Sequence, residues 1–170
     1  MRRLNIRWKF RGYTFFCTLS KHQTLGGLGS CVNWKEHLHN IYWDLDRCTL
    51  EQAIQTLQEI QKEFKLGDIF ITSDYKKSYR AWCFSVRKWL EYLHILLHTM
   101  EYNIIDYGFW IWTIRRGEAT LRNTNKKERQ MHDIVAILKG YEKTQLPEKF
   151  KVIKYDTGIQ KKGIFITNFR

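Results

Sequence analysis

The chain has 170 residues, with 29 Lys and Arg against 17 Asp and Glu, giving a formal net charge of +12. That length buries a core without disulfide or metal staples, and the charge points to a polyanionic partner. Cys17, Cys31, Cys48 and Cys83 share no C-x-x-C spacing, which excludes a zinc cluster and a secreted disulfide framework; they read as reduced and mostly buried. No run reaches transmembrane length and the Arg-bearing N-terminus lacks a long apolar core, so the expectation is a cytoplasmic protein with no membrane partner.

Residues 4–20 alternate polar and apolar side chains, as one long strand or a hairpin around Arg11-Gly12 does. Gly26-Gly27-Leu28-Gly29-Ser30 reads as a loop; it lacks the Gly-Lys-Ser/Thr ending of a P-loop. Ile41–Asp46 reads as a strand. Thr49, with Gln52 three residues on, has the form of a helix cap, and Leu50, Ala53, Ile54, Leu57, Ile60 and Phe64 recur at helical spacing before Gly67. Ile69–Thr72 and Tyr79–Phe84 predict a hairpin across the polar turn 74–77. A second helix is expected over 86–101, capped by Ser85, with Val86, Trp89, Leu90, Leu93, Leu96, Leu97 and Met100 facing inward.

Phe109–Ile114 reads as a buried strand and Ala119–Arg122 as another. Residues 127–143 predict a helix carrying Met131, Ile134, Val135, Ile137 and Leu138, ended by Pro147, and 150–155 with 163–167 a closing hairpin. From 41 to 114 the order is strand, helix, strand, strand, helix, strand. That order predicts an α+β fold: a split βαβ, RRM-like antiparallel sheet with packed helices and extra N- and C-terminal β elements, in one domain over 1–170 with its core at about 40–126.

Cations interleave with rings in Arg7-Trp8-Lys9-Phe10-Arg11 and in Tyr75-Lys76-Lys77-Ser78-Tyr79-Arg80-Ala81-Trp82. Cations for phosphates beside rings for bases suit single-stranded nucleic acid. Arg7, Lys9, Arg11, Lys76, Lys77 and Tyr79 are therefore candidate nucleic-acid contacts; a basic surface over an aromatic core is the alternative. Asp44 and Asp46, two apart in a strand, share a face. Such a pair suits Mg²⁺ or Mn²⁺, hard cations that want oxygen ligands; two solvated residues in a turn is the alternative, and the more usual one for Asp-x-Asp alone. Asp106 or Asp156 could add a third carboxylate.

Trp43-Asp44-Leu45-Asp46, then Ser78-Tyr79-Arg80, then Ile105-Asp106 resembles the archaeo-eukaryotic primase superfamily, in its plasmid and phage replication-protein form. Ile114–Arg122 resembles the basic strand pair that such relatives carry after the third acid. The resemblance implies an RRM-like core and template-directed nucleotide polymerisation on single-stranded or primed DNA, with nucleoside triphosphates as substrates and any helicase or initiator on another chain. It implies Asp44, Asp46 and Asp106 as catalytic ligands of two divalent metals, with Ser78 and Arg80 facing the triphosphate. Arg115, Arg116, Arg122 and Lys126 would stabilise phosphate charge or track the template. Arg80 departs from the family pattern, which has His there. A non-catalytic single-strand-binding protein of the same fold is the second reading.

His37-Leu38-His39 resembles the metal motif of rolling-circle nicking initiators, with Tyr75 or Tyr92 as available nucleophiles. Ordinary surface histidines are the alternative there, as for His94 and His98, which sit one helical turn apart. Tyr75, Tyr79, Trp82 and Trp112 could stack on bases if their strand faces are open.

Overall fold

The computed structural model describes residues 4–10, 13–19, 24–74, 78–122, 134–143 and 152–156. The chain divides into two compact units, Met1–Leu25 with Lys154–Arg170, and Gly26–Ile153. In the first, β1 (Leu4–Phe10) and β2 (Tyr13–Leu19) form the expected antiparallel hairpin, registered from Leu4↔Leu19 to Phe10↔Tyr13.

The second unit runs β3 (Thr24–Gly29), β4 (Cys31–Asn33), β5 (Leu38–Asp46), α1 (Leu50–Glu63), β6 (Ile69–Asp74), β7 (Ser78–Lys88), α2 (Trp89–Met100), α3 (Tyr107–Arg116), β8 (Thr120–Arg122) and β9 (Ile134–Leu138); β10 spans Val152–Asp156. An antiparallel five-stranded sheet has the order β4-β5-β7-β6-β9. The hairpin β6-β7 inserts β7 beside β5, so β5 and β6 run parallel on either side of it, joined by α1. The architecture is α+β, as the element order predicts.

Sequence and structure agree closely from 41 to 84. Ile41, Trp43 and Leu45 pack with the helices, and Trp43 Nε1 donates to Thr99 Oγ1 of α2 (3.2 Å). α1 starts at a capping box: Gln52 N donates to Thr49 Oγ1 and Thr49 N to Gln52 Oε1. Cys31, Cys48 and Cys83 are buried, as expected. Among the described residues no helix is long and apolar enough to cross a membrane.

Four expectations are corrected. Phe109–Ile114 is not a strand but the middle of α3. Asp106 caps it by accepting from Gly108 N (2.9 Å), and Gly117 ends it at φ 68°, so the two ends override the β-rich composition between them. Gly26–Ser30 is not a loop: Gly27, Leu28 and Gly29 pair with Arg122, Leu121 and Thr120. Ile134–Leu138, expected in a helix, is edge strand β9 along β6, in keeping with its β-branched content; 127–133 lie outside the described residues. Finally, Ser85 does not cap α2. It is still in β7, buried, where its hydroxyl accepts from Gly67 N (2.7 Å), and α2 begins after Lys88. That later start rotates the helix: Tyr92, Ile95, Leu96 and Thr99 are buried, while Val86, Leu90 and Leu97 are exposed. The expected strand at 163–167 lies outside the described residues.

Between β4 and the segment near Ile105, the outer edge of β5 is met by one side chain. The Tyr92 hydroxyl donates to the Tyr42 carbonyl (2.8 Å) and accepts from the Tyr42 N–H (3.1 Å), both deeply buried. Leaving both backbone groups unmet costs about 1–3 kcal/mol each. Tyr92→Phe is expected to lower the free energy of unfolding by roughly 2–4 kcal/mol, read as a fall in the urea midpoint; an unchanged midpoint would show that the edge is satisfied otherwise.

Candidate functional site

Along β5 the side chains of Tyr42, Asp44 and Asp46 lie opposite those of Trp43 and Leu45, away from α2. The ladders extend this face sideways. Asp44 stands directly across from Arg80 of β7, which stands across from Thr72 of β6; Asp46 stands across from Ser78. Residues directly opposite in a sheet share a face.

On the other side of β5 the chain returns after α2 and makes an antiparallel bridge, Leu45↔Ile105. Asp46 N donates to the Ile104 carbonyl (2.9 Å) and Asp106 N to the Asp44 carbonyl (2.9 Å). This register sets Asp106 opposite Asp44, at about 5.5 Å between Cα atoms for such a pair. Three carboxylates, Asp44, Asp46 and Asp106, therefore share one sheet face with Ser78 and Arg80. Arg122, on β8, is near enough for its charge to act on Asp44.

The electrostatics carry the mark of this crowding. Asp44 is pushed up to about 6, first by burial and then by the charges of Asp46 and Asp106, against the opposing pull of Arg80 and Arg122. Its Oδ1 lies 3.7 Å from Arg80 Nε, with the Arg80 side chain 8% and the Asp44 side chain 28% exposed. Beside it, burial pushes the Tyr42 hydroxyl up to about 12, an Asn40 hydrogen bond opposes the shift, and the Glu118 charge adds to it.

For a divalent cation the donor set is right in kind: carboxylate oxygens at neighbouring register positions. Its present arrangement is not a coordination sphere. Asp44 faces Arg80, Asp106 Oδ1 is engaged by Gly108 N, and among the described residues no three His, Cys, Asp or Glu side chains are grouped so as to hold a metal.

Other predicted residues lie elsewhere. Tyr79 is opposite Leu45 and packs against the core on the helix side of the sheet. Arg115 and Arg116 do not belong to a basic strand pair; they occupy the last turn of α3, 5.6 and 5.1 Å from the Trp112 ring. Arg7 and Lys9 lie in β1, in register with Phe16 and Thr14 of β2. Asp156 ends β10, and its side chain is outside the described residues, as are Arg11, Tyr75, Lys76, Lys77 and Lys126.

The histidine pair is not brought together. His37 is exposed in a turn at φ 52°, whereas His39 is buried within β5 with Nδ1 3.1 Å from Ser30 Oγ. Tyr92 is fully buried, its hydroxyl held by the Tyr42 backbone. His94 is exposed, and His98 lies between Glu63 (2.9 Å) and Glu101 (3.4 Å). Thr72 was not singled out by sequence. Its hydroxyl donates to the Arg80 carbonyl (3.4 Å) and accepts from Trp82 Nε1 (3.5 Å), and only the hairpin register would have shown it.

No protein-family model, no curated protein and no solved structure matches the chain.

Because Asp44 titrates near 6 in the fold against an ordinary 3.8, its contribution to stability is fully present below about pH 4 and is lost as pH rises through 6. Asp44→Asn, which cannot ionise, is expected to be more stable than wild type at pH 7 and to lose that advantage by pH 4. Denaturant midpoints of the two proteins across that window test this; a constant difference would refute the shift.

Proposed function

We propose that the protein is a replication protein of the primase-polymerase type, a nucleotidyltransferase working on single-stranded or primed DNA through the carboxylate face of β5. One observation carries the reading: the backbone bridge at Leu45↔Ile105 that sets Asp106 beside Asp44 and Asp46, opposite Ser78 and Arg80. Three acids from two separated segments, 60 residues apart between Asp46 and Asp106, meet on one face. A purely structural sheet has no use for such crowding, because it raises the cost of keeping Asp44 ionised. The split arrangement of β5, α1, β6 and β7 further supports the RRM-like core expected of this class.

In this reading Asp44, Asp46 and Asp106 hold Mg²⁺ or Mn²⁺. When bound, such ions supply Lewis acidity at a phosphoryl oxygen and activation of an attacking hydroxyl. The chain's own groups do the rest. Arg80 and Arg122 offer guanidinium donors to triphosphate oxygens, and Ser78 offers a hydroxyl from the neighbouring register position. The net charge of +12 draws a polyanionic template towards the molecule from a distance.

A second reading, a single-strand-binding protein without catalysis, is favoured by two observations: Arg80 is already engaged with Asp44, and among the described residues the acids are not drawn into a metal cluster.

Primer extension and de novo synthesis on a single-stranded template with Mn²⁺ separate the two. Wild type is expected to incorporate nucleotides, and Asp44→Ala combined with Asp46→Ala to lose at least a hundredfold of that rate. Equal, salt-sensitive strand binding by both proteins with no incorporation by either would establish the binding reading instead.

A further inference from the structure

α2 carries more apolar surface than the described fold covers. Tyr92, Ile95, Leu96 and Thr99 are buried beneath it. On one flank His94 and His98 turn to α1, where both rings meet Phe64 (5.4 and 5.8 Å between centroids) and His98 Nε2 lies 2.9 Å from Glu63. The flank turned away from α1 carries Leu90, Leu93, Leu97 and Met100. Leu90 is 77% and Leu97 53% exposed, and Leu93 and Met100 are half-buried. A surface helix needs one apolar stripe, and α2 has two. The second follows steps of three, four and three residues, the seam by which one helix packs into another.

The surroundings of the seam select its occupant. Between Trp89 and Met100 there is no Lys or Arg, so the stripe lacks the cations that a nucleic-acid strand or an anionic lipid surface requires beside it. Its ends are oppositely charged: exposed Lys88 precedes the helix, and exposed Glu101, 3.4 Å from His98 Nδ1, follows it. A second α2 running the other way matches both the spacing and the charges.

We propose that the chain dimerises through α2, two copies packing antiparallel with Leu93 of each against Leu97 of the other and Leu90 against Met100. Lys88 then lies beside Glu101 of the second copy at both ends, the two helix dipoles oppose, and a parallel pair would instead set like charges together. The seam lies on the helix side of the sheet, so the carboxylate face of each copy stays open. A helix of 12 residues is about 18 Å long and offers less than the roughly 800 Å² per partner of a standard interface, so the dimer is weak and reversible. Each copy also carries a net charge of +12. Salt screens that repulsion and strengthens the dimer, the opposite of its effect on strand binding.

Sedimentation equilibrium of the full-length chain, freed of nucleic acid and followed from micromolar to millimolar concentration at low and high salt, tests this. Wild type is expected to dimerise reversibly, more tightly at high salt. Leu97→Lys and Leu97→Glu, both at an exposed position and each checked for folding by circular dichroism, should each weaken the dimer at least tenfold, and Leu90→Lys at the other end of the seam should do the same. An equimolar mixture of Leu97→Lys and Leu97→Glu should recover association, because the two positions face each other diagonally across the twofold. A wild type that stays monomeric throughout would overturn the proposal, as would a dimer that none of these substitutions weakens or a mixture that stays monomeric.

Discussion

The structure depends on how the outer edge of β5 is satisfied. Ile41, Tyr42, Trp43 and Leu45 have no solvent exposure, so water is not available to the backbone between them, and each buried N–H and C=O needs a partner. Asn40 N donates to the Ser30 carbonyl, Tyr42 is met twice by the Tyr92 hydroxyl, the Asp44 carbonyl accepts from Asp106, and Asp46 N donates to Ile104. Two unrelated pieces of chain, at Ser30 and at Ile104–Asp106, and one side chain thus stand where a single neighbouring strand would otherwise lie. The second piece delivers Asp106 to Asp44. The same backbone requirement that completes the fold assembles the carboxylates.

Having assembled them, the fold must tolerate them. Three acids on one face are costly when one is largely shielded from water, and the protein answers in two ways. Asp44 takes a proton more readily than an ordinary aspartate, and Arg80 and Arg122 bring positive charge to it. Asp106 is offset separately: its carboxylate accepts from Gly108 N at the start of α3, where the helix dipole favours negative charge. Asp106 therefore both caps a helix and joins the row. The helix that replaces the expected strand at 109–114 is not incidental to the site, because its first turn fixes the orientation of one of its acids.

Much of this was legible from residue order. The strand ending in Asp44-x-Asp46, the capped helix after it and the hairpin to Phe84 follow from local periodicity and turn chemistry, and the structure has them with small shifts in boundaries. Where composition was read without its ends, the reading failed. Phe109–Ile114 is aromatic and β-branched like a strand, yet Asp106 and Gly117 in the same sequence are a helix cap and a helix stop. Leu90 and Leu97 fit an inward helical stripe, but Ser85 is buried in β7 beneath Gly67, and the helix that starts four residues later turns them outward. The glycines at 26, 27 and 29 suggest a loop because nothing local reports that β8 pairs with Gly27 and Gly29.

The sequence by itself determined which acids could share a face, since alternation along a strand puts Asp44 and Asp46 on one side whatever surrounds them. It also determined the basic charge that makes a polyanion the expected partner. Only the tertiary structure decided that Asp106 stands opposite Asp44, that Tyr79 faces the helices, and that Arg80 meets a carboxylate within the sheet. These are matters of register between segments far apart in the chain. Register is set by burying apolar faces and pairing backbone groups across strands, and no local pattern encodes which residues end up opposite one another.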